Sequence, residues 1–192
     1  MDLDFQSLLK AELNQAMSWD NETASKLTYL ANKVLDTVRS NNCVYAIGNG
    51  GSAADASHFI GEFTSKCKLD HFPWKGVCLN SNLSTITSIA NDISFEEIFS
   101  RQLQVHFNAG DILIALSTSG RSKNIINALN VVTKIAPKNI FLLTSTNAPK
   151  FLNSEVYNSI AVPSAITSRI QEVHMHWLHG IIEYCELKLQ VL

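Results

Sequence analysis

The sequence predicts an α/β fold: a doubly wound, mostly parallel five-stranded sheet flanked by helices, with a helical extension at the N-terminus. Three observations carry this. Short apolar runs alternate with segments whose apolar residues recur at helical spacing. The runs read apolar on both faces, as strands covered by helices on either side do. Two of them end in glycine- and serine-rich loops, Gly48-Asn49-Gly50-Gly51-Ser52 and Ser117-Thr118-Ser119-Gly120-Arg121-Ser122, each leading into a helical pattern.

Taken in order, residues 3–18 (Leu8, Leu9, Leu13) and 22–39 (Leu27, Leu30, Ala31, Val34, Leu35, Val38) predict two N-terminal helices, with Asp20 or Asn21 capping the second. Strands are expected at 43–47, 76–80, 111–116, 139–144 and 157–162. Helices are expected at 52–66, 83–90, 95–106, 122–135 and 167–190. With no internal repeat or linker, residues 41–192 form one domain. Residues 1–40 are helices packing on it or on a neighbouring subunit.

Composition narrows the function. The chain has 192 residues, 46% hydrophobic and 17% charged, as in a soluble globular protein. A formal net charge of -2 gives no electrostatic footprint for nucleic acid or an anionic membrane. No apolar run is long enough to span a bilayer, and the acidic start Met1-Asp2-Leu3-Asp4-Phe5 lacks a signal peptide's features. Cys43, Cys67, Cys78 and Cys185 have no paired spacing and read as reduced thiols, so a cytoplasmic location is expected.

Ligands of such sheets bind beyond the carboxyl ends of the strands, where both loops fall. The first N–H groups of a helix lack internal partners and the helix dipole favours negative charge, so each loop offers an anion site. Asn49, Gly50, Gly51 and Ser52 in the first, with Ser117, Thr118, Ser119 and Ser122 in the second, point to a phosphorylated ligand. The plainer alternative for the second loop is a strand-to-helix turn with Ser122 as N-cap. Gly48 to Ala53 also fits G-x-G-x-x-A, but the second strand ends at Leu79-Asn80-Ser81 without the carboxylate that would hold a ribose, which argues against a dinucleotide.

His58 and Glu62 lie four apart, on one helical face, either as a surface pair or as ligands for a divalent metal. The last helix holds His174, His176 and His179 within six residues. Gln171 and His179 are eight apart, about 12 Å along the axis and about 80° around it. One straight helix therefore does not bring both to one metal: the helix is distorted, or copies from different subunits combine. His174 and His176 read as packed or surface histidines. Asn91-Asp92 either contacts a sugar hydroxyl or shuttles a proton, or Asp92 caps the helix at 95–106.

The stretches Ala46-Ile47-Gly48-Asn49-Gly50-Gly51-Ser52-Ala53-Ala54-Asp55-Ala56-Ser57-His58-Phe59, Ala115-Leu116-Ser117-Thr118-Ser119-Gly120 and Arg169-Ile170-Gln171-Glu172-Val173-His174 resemble the phosphoheptose isomerases, members of the sugar isomerase (SIS) domain proteins. The resemblance covers nearly the whole chain. It implies isomerisation of sedoheptulose 7-phosphate to D-glycero-D-manno-heptose 7-phosphate, through an enediol, for bacterial heptose biosynthesis. It implies a phosphate site at Ser52, Ser117, Ser119 and Ser122, with Asn49, Gly50, Gly51 and Thr118 close by, and one zinc per active site on His58, Glu62, Gln171 and His179. Glu62 and His179 become the acid/base pair, while Asn91, Asp92, Gln171 and Glu62 contact substrate. A cytoplasmic homotetramer with active sites at subunit interfaces is implied as well.

The alternatives are an isomerase or sensor for another sugar phosphate, and a non-catalytic SIS protein of the kind that associates with the replication initiator. The latter lack the glutamate and final histidine that this chain keeps at Glu62 and His179. The chain departs from the family at Ser65-Lys66-Cys67, where Gly-Arg-Tyr is usual, at Ser168, and in the loop Ser145 to Lys150, which lacks the usual glycines.

Overall fold

The computed structural model describes residues 13–149 and 157–190. Five strands, β1 (Val44–Gly48), β2 (Gly76–Cys78), β3 (Ile112–Leu116), β4 (Ile140–Ser145) and β5 (Asn158–Val162), form one sheet in the order β2-β1-β3-β4-β5. All four pairings are parallel. Among the described residues the helices α1 (Asn21–Arg39), α2 (Gly51–Thr64), α3 (Leu83–Asp92), α4 (Ser100–His106), α5 (Lys123–Ile135) and α6 (Thr167–Gln190) accompany them. Most of the expected first helix at 3–18 lies outside the described residues, which are helical at 13–16.

Alternation along the strands builds two cores. Val44, Ala46, Ile112, Ile114, Leu116, Phe141 and Leu143 face α1, α2 and α6. Tyr45, Ile47, Leu113, Ala115, Ile140 and Leu142 face α4 and α5, with Ile86 and Ile89 of α3 at the margin. Both faces are covered, which is why the strands read as unbroken apolar runs. The four cysteines are free, and burial pushes the Cys43 thiol up to about 11 and Cys185 to about 12.

Asp20 caps α1, accepting from the Thr23 amide at 2.8 Å. The expected helix at 95–106 is two pieces, a 3-10 turn at Phe95–Glu97 and then α4. Ser94, not Asp92, caps that turn: its hydroxyl accepts from the Glu96 amide at 3.0 Å, and Asp92 ends α3. Ile98 and Phe99, between the pieces, are both buried in the second core.

The turn from β1 into α2 depends on two glycines. A Cβ on Gly48 would collide with the Ser52 carbonyl, and Gly50 has φ +55, where side chains are disfavoured. The Asn80 side chain continues the ladder beyond β2, accepting from the Gly48 amide at 3.2 Å and donating to its carbonyl at 2.9 Å. Gly48→Ala is therefore expected to cost about 1–3 kcal/mol, the usual range for forcing atoms into a packed site, read as a lowered denaturation midpoint.

Candidate active site

The strand order reverses between β1 and β3: β2 lies to one side of β1, and β4 and β5 beyond β3. The loops after β1 and β3 diverge there and leave a pocket of about 300 Å³. Asn49, Gly50, Gly51, Ser52, Ser117, Thr118, Ser119, Ser122 and Gln171 all line it, joined by Leu116 and Thr167. The N-cap residue of neither helix that opens onto the pocket makes a side-chain capping hydrogen bond. Gly50 precedes α2, and Ser122, at the N-cap of α5, makes no capping hydrogen bond. Ser122 thus holds the N-cap position of the plain-turn alternative but not its capping hydrogen bond, and in the first turn of α5 Asn124 Oδ1 accepts from the Ile125 amide at 2.9 Å.

Two asparagines brace the pocket from behind. Asn49 and Asn124 exchange amide hydrogen bonds in both directions at 2.9 Å. Asn124, Asn80 and Thr167 were not singled out from the sequence. Asn124 lies only two positions after Ser122, but its partner is 75 residues away, which no local pattern reveals.

A second cluster lies along the same pair of helices. His58 Nε2 is 3.2 Å from Glu62 Oε1, and His179 Nε2 is 3.3 Å from His58 Nε2. Ligand atoms of the three residues all lie within 4.8 Å of one another, close enough to share a metal ion. Glu62 Oε2 is buried with no hydrogen-bond partner. Two imidazoles in a T-shaped pair and an unpartnered carboxylate oxygen form a donor set that suits a divalent cation such as zinc. Asp55, one turn before His58, is pushed up to about 6 by burial, with His58 pulling it partly back.

Gln171 does not join this cluster. Its amide donates to the Ser52 hydroxyl at 3.4 Å, in the loop pocket. α6 is one helix from Thr167 to Gln190, so Gln171 and His179 of one chain stay about 12 Å apart along it. Asn91 and Asp92 are exposed at the end of α3, bonded to each other at 2.7 Å, and do not line the pocket. His176 is exposed with its ring 6.1 Å from that of Trp19.

The site therefore has two ends. Ser52 meets Gln171 at one, and His58 and Glu62 meet His179 at the other, so α2 and α6 run side by side in the same direction. Ser52 and His58 are six residues apart, a rise of about 9 Å. Hydroxyls at a pair of helix N-termini and a His–Glu–His group at the other end suit a ligand with a phosphate and a reactive carbon at opposite ends.

Residues 10–144 match the family model described as SIS domain. The chain is 36% identical over 179 residues to a phosphoheptose isomerase of Aliarcobacter butzleri, covering 93% of this chain and 90% of that one. It is 34% identical over 189 residues to a phosphoheptose isomerase of Citrifermentans bemidjiense, covering 98% and 97%. Its fold superposes on the structure of the phosphoheptose isomerase of Neisseria gonorrhoeae with a TM-score of 0.77 at 27% identity, over 95% of this chain and 99% of that one. Architecture and family model thus place the chain among the SIS-domain proteins, and at these identities it belongs to the phosphoheptose isomerase family. No helix among the described residues is long and apolar enough to cross a membrane.

His174 lies outside both ends, fully buried, with Nε2 3.2 Å from the Thr144 carbonyl. Burial pushes its ring down from 6.5 to about 4. Between those values the unfolded chain takes up a proton that the native ring refuses. The neutral ring's contribution is thus complete above about pH 6.5 and lost as pH falls toward 4. Thermal melts across that window are expected to show a falling limb that is shallower in His174→Gln.

Proposed function

We infer that this chain converts sedoheptulose 7-phosphate to D-glycero-D-manno-heptose 7-phosphate, as an aldose–ketose isomerase in bacterial heptose biosynthesis. What carries the reading is the two-ended site: a hydroxyl- and amide-lined pocket at one end of the α2–α6 pair, and His58, Glu62 and His179 gathered at the other. Family membership supplies the substrate class.

The phosphate is held by Ser52, Ser117, Ser119 and Ser122, with Asn49, Gly50, Gly51 and Thr118 shaping the loops and Gln171 reaching the sugar beside Ser52. Glu62 removes a proton from C1 of the open-chain ketose. The C1–H electron pair becomes the C1–C2 double bond, and the carbonyl pair moves onto O2. His179 moves a proton from O1 to O2, and return of a proton to C2 completes the aldose. Glu62 offers one oxygen toward His58 and a second that is unpartnered, so the carboxylate is not fully committed to its neighbour. A zinc ion on His58, Glu62 and His179 supplies Lewis-acid polarisation of the carbonyl when bound.

A fourth ligand from Gln171 requires a copy of α6 from a neighbouring subunit, and the exposed Asn91 and Asp92 reach substrate from outside their own chain's pocket. Both follow from a homotetramer with its active sites at subunit interfaces. An apolar groove between α1 and α6, lined by Leu27, Ala31, Trp177 and Ile181, supports association of subunits along these helices.

The test is incubation of the purified protein with sedoheptulose 7-phosphate, with and without zinc, following the aldose by NMR. Turnover that a chelator weakens is expected. Glu62→Gln should fold and assemble normally and lose about 10²- to 10⁴-fold in kcat, the usual worth of a general base. Ser119→Ala should act mainly on KM. Near-normal turnover in Glu62→Gln removes Glu62 from the base role. No turnover in a well-folded oligomer transfers the site to another sugar phosphate or to a binding role.

A further inference from the structure

Glu186, on α6, is completely buried, and a carboxylate in that position needs strong partners. It has three in a row. Oε1 accepts from the Cys67 amide at 2.8 Å, and Oε2 from the Lys68 and Leu69 amides at 3.0 and 2.9 Å. These successive N–H groups form a concave anion nest in the loop that leaves α2. His71, in the same loop, has a side chain only 4% exposed, stacked on Trp74 with ring centroids 3.9 Å apart. Its Nε2 lies 3.7 Å from Glu186 Oε1 and 3.3 Å from the backbone carbonyl of Glu62.

That carbonyl is among the last four of α2, which have no partner within the helix. The loop serves its neighbours as well: Ser65 donates to the Gly61 carbonyl at 3.1 Å and Trp74 to the Phe63 carbonyl at 2.8 Å. Hence the turn carrying Glu62 is stitched to the loop, and the loop is clamped to α6. Along α6, His179, Glu183 and Glu186 fall four and three residues apart, on one face. The clamp and the His179 ligand therefore share a face, two helical turns apart.

We propose that Glu186 and His71 are positioning residues that hold the Glu62 turn of α2 at a fixed offset from His179 on α6, and so set the affinity of the His58, Glu62 and His179 cluster for a divalent metal. The proposal rests on the metal reading of that cluster. Neither residue belongs to the His58, Glu62 and His179 group or lines the loop pocket. Their effect passes through the backbone of the Glu62 turn, and supporting contacts of this kind are commonly worth 10- to 100-fold in metal affinity.

The test is zinc affinity of the full-length protein, measured by competition with a chromophoric chelator, with the visible spectrum of the cobalt-substituted protein as a second readout. Glu186→Gln is expected to weaken zinc binding about 10-fold or more and to alter the cobalt spectrum. It should lower kcat and leave KM for the sugar phosphate within about 2-fold, since the phosphate loops lie at the other end of the site. His71→Ala is expected to do the same, and His71→Gln, whose amide N–H can reach the backbone carbonyls that the two ring nitrogens face, of Glu62 and Phe72, to recover most of the loss. Lys68→Ala, which removes only the exposed ion pair with Glu183 at 3.1 Å, should leave zinc affinity unchanged. Should Glu186→Gln fail to fold, the two His71 variants decide the matter. Wild-type affinity and an unchanged cobalt spectrum in folded His71→Ala overturn the positioning role alone. A wild-type protein that takes up no zinc or cobalt overturns the metal reading, and this inference with it.

Discussion

Two helices that follow different strands, α2 after β1 and α6 after β5, lie together on one face of the sheet, and the apolar seam beneath them fixes where every polar group of the site can be. Phe59 and Phe63 from α2 share a core with Val173, Trp177, Leu178 and Ile181 from α6, all buried. Burying each such side chain stabilises by roughly 1.5–3 kcal/mol, so the seam resists sliding far more than the polar contacts above it could. Ser52 and Gln171, and ten and eight residues further on Glu62 and His179, face each other because the seam sets the register. The site is a consequence of helix packing before it is a matter of hydrogen bonding.

The second determinant is the reversal of strand order at β1 and β3. The helix after β1 goes to one face of the sheet and the helix after β3 to the other. The two loops must therefore part, and the gap between them exposes main-chain N–H groups that neither helix can satisfy internally. Small residues are required there for opposite reasons in the two loops. Gly48 leaves no room for a side chain against the Ser52 carbonyl, whereas Ser122 stands where a cap is expected and keeps its hydroxyl free of the cap. Asn80 and Asn124 then hold the loops with side-chain amides, Asn80 through both the N–H and the carbonyl of Gly48 and Asn124 through the side chain of Asn49.

Sequence patterning reached as far as local physics reaches. Apolar runs located all five strands within one or two residues, because burial on both faces leaves a continuous signature. The pocket residues were legible because the loops that carry them are short and each adjoins a strand end. The rise per residue of a helix alone separated Gln171 from His179, and the unbroken α6 keeps them apart. Contacts between distant segments had no such signature. The break between the 3-10 turn and α4 falls at Ile98 and Phe99, which pack against other elements, and the Asn49–Asn124 pair and the Glu186 nest join residues more than 70 positions apart. Each of these residues is, by itself, an ordinary member of its helix or loop.

Two of the departures from the family pattern, at residues 65–67 and at Ser168, fall where this construction tolerates them. Glu186 takes main-chain N–H groups of Cys67, Lys68 and Leu69, which every residue but proline supplies. The side chains at 65–67 can therefore change from Gly-Arg-Tyr to Ser-Lys-Cys while the carboxylate keeps its hold on the loop. Lys66 is exposed, so losing the planar fork of arginine alters what that position presents to its surroundings and not how α2 is tied to α6. Ser168 is likewise exposed, in the first turn of α6, one turn ahead of Gln171. Because the backbone and the buried glutamate hold the geometry, the exposed positions beside each end of the site are free to vary without moving the groups between them.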